Sequence, residues 1–358
     1  MRFIIVLFLF SAALLPAQQA KISPEPEQPF VIVQNGKYGY IDSQGSVLIR
    51  PQFIWGSAFY KGFATVYVCG QSFSMDPTGR ILPIRYADKG ELAPKHSGKK
   101  VGFVDEAGRF RIPPNFDDAL PFSDSLAAVK VGDKWGFIDT LGHIVIQPKF
   151  EDAFYFRERV GTVELDGGYA LIDKTGASIV TGLEYVDNAS EGRVPVRRGG
   201  MTGYLDLKGK TVIPFVYEEG HEFEQGLAQV SNGKKWGYID HDGQVVIPFQ
   251  FDYVGFFGKG LAPARRGQET GFINQSGEFV FHLAFRDAAG FMFGDPSPFW
   301  TGDGRFGYVN SSGKVIWGPV AGIPDHWPIL GWSEEDKIRS CEGIPQSLKD
   351  KIAKIPAD

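Results

Sequence analysis

The chain has 358 residues, a formal net charge of −5 and no dense run of Lys or Arg. Nucleic-acid surfaces need clustered cations to neutralise phosphates, so that class is excluded first. Phe (30), Gly (45) and Pro (23) are abundant and Met (4) is scarce, a composition of many short strands joined by turns rather than of helices.

Residues 1–20, MRFIIVLFLFSAALLPAQQA, read as a secretory signal peptide. Arg2 gives the positive start, Phe3 to Leu15 the apolar run, and small residues follow near Ala17, where a cut is expected. The run is short for a membrane span, although an uncleaved anchor is the alternative reading. The mature chain is therefore expected outside the cytoplasm, in the periplasm, the cell envelope or the medium, with no further span. Residues 21–30, KISPEPEQPF, are Pro-rich and polar and read as a flexible lead-in. Two cysteines, Cys69 and Cys341, stand far apart; export permits a disulfide, and two separate thiols are the alternative.

From residue 31 to 317 one pattern recurs. An Asp or Asn is followed three residues later by Gly at Asp42, Asp76, Asp105, Asp139, Asp173, Asp206, Asp240, Asn274 and Asn310. Successive steps are 34, 29, 34, 34, 33, 34, 34 and 36 residues. A period in this range marks a solenoid, propeller or similar array. The Asp side chain can accept N–H groups just after it and open a turn, and the Gly tolerates the positive φ that ends it.

Lys134–Phe150, KWGFIDTLGHIVIQPKF, shows the unit in full. Trp135 to Ile138 and Ile144 to Ile146 form a hairpin around the turn, and Pro148 is expected to stop the second strand. Mid-strand Gly136 suggests close approach of a neighbouring backbone or ring. An aromatic follows eight residues past the turn Gly at Phe53, Phe116, Phe150, Tyr217, Phe251 and Phe285. A looser stretch leads to a Leu-Ala-x-Val piece, Leu126 to Val129, which reads as a third short strand. The second unit, around Phe73-Ser-Met-Asp76, lacks the Trp-Gly pair and is followed by the short step. The fifth carries Tyr169-Ala170 and the eighth Thr270-Gly271 instead.

The expected fold is all-β: nine tandem units of about 34 residues in an open array or solenoid of antiparallel hairpins. A closed β-propeller is the alternative, against which a 34-residue unit looks short for a four-stranded blade. Residues 318–358 read as a C-terminal cap with short helices over Ser333–Cys341 and Gln346–Lys354, and Trp327 and Trp332 are expected to lie over the last unit.

The Lys-Trp-Gly-Tyr/Phe-Ile-Asp core, the Gly after it, the Val-Ile-Pro run and the Phe-x-x-Gly-Leu-Ala return resemble the bacterial WG-repeat (KWG-repeat) family over residues 31–317. The resemblance implies β-rich modules of exported or envelope proteins, and no shared catalytic residues.

No catalytic, cofactor-binding or metal-binding set is read from the sequence. The histidines His96, His143, His221, His241, His282 and His326 occupy unrelated repeat positions. His221-Glu222 reads as a solvated loop pair. One Asp per turn supplies too few oxygens for calcium, which leaves the turn-making role. Tyr38, Trp135 and Trp236 read as the packed core of each unit rather than as sugar-stacking platforms. Tyr60, Tyr155, Phe156, Arg157 and Arg159, read as loop residues, are better binding candidates. Arg197-Arg198, Arg265-Arg266, Lys99-Lys100 and Lys234-Lys235 would form a basic edge or a solvated rim. The expected function is that of a non-enzymatic exported repeat protein, a scaffold that binds a protein partner. The alternative is binding of carbohydrate or cell wall through exposed aromatics.

Overall fold

The computed structural model describes residues 28–87, 90–292, 294–321 and 344–355. These residues form nine consecutive antiparallel sheets and one short helix, Gln346–Ile352. The sheets span residues 30–53, 55–82, 93–116, 118–150, 152–183, 185–217, 219–251, 253–282 and 287–320, and are numbered 1 to 9 here.

Sheet 4 shows the pattern: Asp118–Ala119, Ala127–Val131, Lys134–Ile138 and Ile144–Phe150, hydrogen-bonded in that order. Seven sheets have four strands; sheets 1 and 3 have three, because the short first strand has no counterpart among the described residues. That first strand explains how 34 residues build a four-stranded blade, since in most sheets it is two residues long.

The sheets form a closed nine-bladed propeller, and the expectation of an open array is corrected at the seam between sheets 9 and 1. Ile32 and Ile41 of sheet 1 pack with Phe306 and Tyr308 of sheet 9 in one buried cluster. The rings of Phe30 and Tyr308 lie 5.7 Å apart, edge to face. The Tyr308 hydroxyl donates to the Val31 carbonyl at 2.9 Å. Elsewhere in the ring, Tyr40, Tyr204 and Tyr238 likewise donate to a backbone carbonyl of the next sheet, at Ser57, His221 and Gly255. Burial raises the pKa of all four hydroxyls, so each remains a donor. The seam therefore uses the same tyrosine donor as neighbours along the chain, with its acceptor on the second strand, Val31, instead of just after the first.

The repeated residues are explained by these geometries. The Asp139 carboxylate accepts the N–H groups of Leu141 and His143 at 2.9 Å, and Gly142 closes the turn at φ 88. The fourth strand does not stop at Pro148. It bulges there and resumes, so that Trp135 pairs with Phe150. The Pro-containing bulge lies against Gly136, where a Cβ would stand 2.5 Å from the Ile146 carbonyl oxygen and 2.7 Å from the Pro148 nitrogen. The close approach expected at the Trp-Gly glycine is thus an approach of backbone. Phe53, Phe116, Phe150, Tyr217, Phe251 and Phe285 are all buried, as is Trp135.

The C-terminal helix caps the ring at sheets 1 and 2. Ile344 and Leu348 join a cluster with Tyr40, Phe53, Val66 and Val68, and Cys69 packs against it. Cys69 is disulfide-bonded. Cys341, Trp327, Trp332, the signal peptide and the helix expected over Ser333–Cys341 lie outside the described residues. No helix among the described residues is long and apolar enough to cross a membrane.

Candidate functional site

Eight buried apolar clusters join eight of the nine pairs of adjacent sheets. Among the described residues no such cluster joins sheets 2 and 3. One register position accounts for the difference. The residue in the second strand opposite the Trp-Gly glycine, or opposite Phe73 and Ala170 where sheets 2 and 5 lack it, is Ile32, Val66, Val129, Val163, Val196, Val230, Ala264 or Phe299 in eight sheets, and each is buried. In sheet 3 it is Lys95, opposite Gly102. A lone ammonium cannot be buried against an apolar sheet face without a large desolvation cost. Lys95 instead lies over the ring of Tyr86, its Nζ 3.9 Å from the centroid.

A cleft of about 1080 Å³ opens at this break, between sheets 2 and 3 and the neighbouring loops of sheet 4. Tyr60, Phe63, Tyr86 and Phe122 supply aromatic surface, and Lys61, Arg85, Glu91, Arg111 and Asp124 supply charge. Lys61 pairs with Glu91 at 2.9 Å, Asp124 pairs with Lys174 at 2.8 Å, and the Arg85 guanidinium lies 4.0 Å from the Phe63 ring centroid. Tyr60 is 72% exposed at the rim.

A second cleft, of about 220 Å³, lies between sheets 5 and 6 and is lined by Phe154, Tyr155, Arg157, Tyr169, Tyr185 and Asp187 among others. Here the first strand is long, Asp152–Arg157, so Tyr155 and Arg157 stand on a strand and not on the expected loop. A bulge between Ala153 and Phe156 breaks its alternation, so that Phe154 and Tyr155 are both exposed while Phe156 is buried against Phe137, ring centroids 4.9 Å apart. Arg159 is tied down by its backbone N–H, which donates to Asp124.

Beside this cleft the His221-Glu222 pair proves to be structured. His221 stacks on Trp236 at 5.7 Å, and its Nδ1 stands 3.6 Å from an oxygen of Asp187. Burial pushes the Asp187 carboxyl up, but hydrogen bonds from His221 and from the Asn188 N–H outweigh it and hold the group below 3.8. Burial and then the Asp187 charge push Glu222 above its ordinary 4.5.

Of the Lys and Arg pairs expected to form a basic edge or a solvated rim, one member is ion-paired in three of the four. Lys100 pairs with Asp117, Lys235 with Asp252 and Arg266 with Glu269. Asp117 and Asp252 also accept the N–H of Gly132 and Gly267 in the adjoining hairpin. Glu151 and Glu184 do the same for Gly167 and Gly199. The signal was present in the sequence, as an acidic residue directly after the residue that ends the last strand of successive sheets (Asp117, Glu151, Glu184, Glu218, Asp252).

The family model described as "WG containing repeat" matches residues 38–68, 102–135, 135–169, 203–236 and 236–268. No curated protein matches the chain. Among solved structures, a eukaryotic initiation factor shares the fold at a TM-score of 0.53 and 11% identity, covering 81% of this chain and 95% of that one. BamB from Moraxella catarrhalis matches at a TM-score of 0.40 and 13% identity over 65% of this chain and 88% of that one. The dihydro-heme d1 dehydrogenase NirN matches at 0.39 and 13%, over 71% and 72%.

Proposed function

We propose that this chain, built of WG-containing repeats, is a non-enzymatic binding module that holds a protein partner at the break in its ring. The observation that carries the reading is the cleft of about 1080 Å³ between sheets 2 and 3, open where every other sheet pair is packed. It combines aromatic anchors with charged groups at the rim, the mixture that protein interfaces favour. Tyr60, a large exposed aromatic on a rigid ring, fits the role of an anchor. The test places a photo-reactive side chain at Tyr60 and, as control, at Val216, which is exposed on sheet 6. Cross-linking in cells should yield one partner from position 60 and not from 216. Equal capture at both positions, or none at 60, overturns the reading. Export belongs to the same proposal, motivated by Arg2 and the apolar run Phe3–Leu15; the mass of the protein recovered outside the cytoplasm should show a new N-terminus near Ala17.

Carbohydrate binding is the second reading, and the cleft between sheets 5 and 6 favours it. Tyr155 and Tyr185 offer exposed rings there, with Arg157, Asp187 and Asn188 as hydrogen-bonding groups. Retention on purified cell-wall glycan, lost in Tyr155→Ala and Tyr185→Ala, would support this reading; unchanged retention in both variants would remove it.

A further inference from the structure

The second strand of each sheet turns two carbonyls toward the first strand. In sheets 2, 4, 6, 7, 8 and 9 the earlier of the two accepts an N–H: Ser57 to Thr65 at 2.8 Å, Leu120 to Ala128 at 2.9 Å, Asp187 to Pro195 at 2.9 Å, His221 to Gln229 at 3.2 Å, Gly255 to Pro263 at 2.9 Å and Ala289 to Pro298 at 3.2 Å. In sheet 1 the equivalent carbonyl, Val31, is met by the Tyr308 hydroxyl. In sheet 5 a six-residue first strand pairs along the same edge. In sheet 3 the equivalent residue is Pro94, and among the described residues no strand lies on that side of Ala93–Ser97. Residues 93, 95 and 97 pair with the third strand of the sheet, so 94 and 96 point their backbone groups the other way. The Pro94 carbonyl and the His96 N–H and carbonyl thus form an open edge five residues long, beside the cleft that Ala93 and Pro94 help to line.

From this edge we infer that Ala93–Ser97 receives an extended, acidic peptide segment of the protein partner, which supplies the first strand that sheet 3 lacks. The inference rests on the binding-module reading and names the partner's chemistry. Backbone pairing to an exposed sheet edge is a recurring mode of peptide recognition. The ring geometry favours it here, because seven sheets already carry a first strand on that edge and in sheet 1 the Tyr308 hydroxyl meets it. The charge follows from the hairpin that carries the edge. Lys95, His96, Lys99 and Lys100 stand within six residues, and Asp117 answers only Lys100. At about 3.3 Å per residue, an incoming strand of roughly four to six residues spans the edge.

The probe is a seven-residue capped peptide alternating Glu and Val, compared with its Lys-Val counterpart and with a Glu-Val peptide N-methylated on alternate backbone nitrogens. The full chain should bind the acidic peptide saturably, and both comparison peptides at least tenfold more weakly. Hydrogen exchange should slow at His96 and not on sheet 6. His96→Pro removes the outward N–H and should weaken binding at least tenfold, and Lys95→Glu should do so through charge. An unchanged melting temperature shows that these variants fold; if either does not, the exchange and N-methyl comparisons decide on the unaltered chain. Absence of saturable binding, equal binding of the N-methylated peptide, or protection away from 93–97 overturns the inference. A partner captured at position 60 without protection of His96 would overturn this inference alone. Peptide binding at the edge with no partner captured at position 60 would support the inference and overturn only the cleft-rim anchor.

Discussion

Two interfaces of the ring invert the usual relation between sequence distance and packing. Sheets 9 and 1 come from opposite ends of the described array, yet they share a buried aromatic cluster and a tyrosine hydroxyl bond that spans 277 positions. Sheets 2 and 3 are consecutive in the chain and are parted by a cleft. Packing here follows the side chain at one register position, not connectivity. Ile32 closes the seam, and Lys95 holds the other interface open.

The largest effect should come from breaking the seam. Tyr308→Ala removes a buried ring and its hydrogen bond, and should cost about 3–5 kcal/mol by the measure of other large-to-small core changes. Phe63→Ala at the cleft, by contrast, should cost less than about 1 kcal/mol, because its site is already open on one side. Denaturant midpoints of the two variants compare the interfaces directly, and similar losses would refute the contrast.

Gly136→Ala tests the packed type of sheet. Its Cβ would meet the Ile146 carbonyl and Pro148, so a loss of about 1–3 kcal/mol is expected. Gly302→Ala, with open space around it and an ordinary φ, should leave the midpoint unchanged. Lys95→Val would sharpen the comparison from the other side. It restores the valine found at the equivalent place in five other sheets, and should stabilise by on the order of 1 kcal/mol while closing part of the cleft. A destabilised variant would show that the register position is not what opens the interface.

Two smaller effects depend on pH. The folded pKa of Glu222 is raised, so its contribution is present below the unfolded value near 4.5 and lost as pH rises through the folded value. Asp187 is lowered and behaves in the opposite sense. Glu222→Gln should therefore match or exceed the parent's melting temperature at pH 7, and the difference should shrink as pH falls toward 4.5. A variant less stable at pH 7 would contradict this. The turn carboxylates of Asp76, Asp105, Asp139 and Asp173 are depressed too. For Asp139 the hydrogen bond from the His143 N–H leads the causes, so its stabilisation is present above about 3.8 and lost as pH falls through the folded value. Asn serves the same turn at Asn274, where it accepts the N–H groups of Ser276 and Glu278. Asp139→Asn should thus be neutral at pH 7 and slightly more stable than the parent near pH 3, read from melting temperatures at both.

Much of the local structure was legible because it depends on neighbours in sequence. The Asp-started, Gly-ended turn, the hairpin it joins and the Leu-Ala-x-Val strand all satisfy their backbone groups within one unit. The helix near Gln346 was legible in the same way, although its docking on sheets 1 and 2 was not. Ring closure was hidden because it depends on the angle between successive sheets, which no single unit encodes. The two-residue first strands were hidden as well, since a pair such as Asp118–Ala119 has too little pattern to show alternation. The segment Asp152–Arg157 reads as a loop in sequence because only its partner Val160–Leu165 makes it a strand. Of the candidate residues, Tyr60 and Tyr155 do line clefts, whereas Phe156 is core. The significance of Lys95 could have been seen by aligning the units on their Trp-Gly glycine. One lysine then stands in a column of aliphatic and aromatic residues.

The seam has a kinetic consequence. Each sheet pairs strands that follow one another in the chain, so its contacts close loops of a few residues to a few tens. The contact between Tyr308 and Val31 belongs to another class of event. Folding speed falls as contacts become more distant in sequence, but the entropy of closing one very long loop grows only with the logarithm of its length. Blades can therefore assemble quickly and locally, with a single slow, chain-spanning closure left for the end.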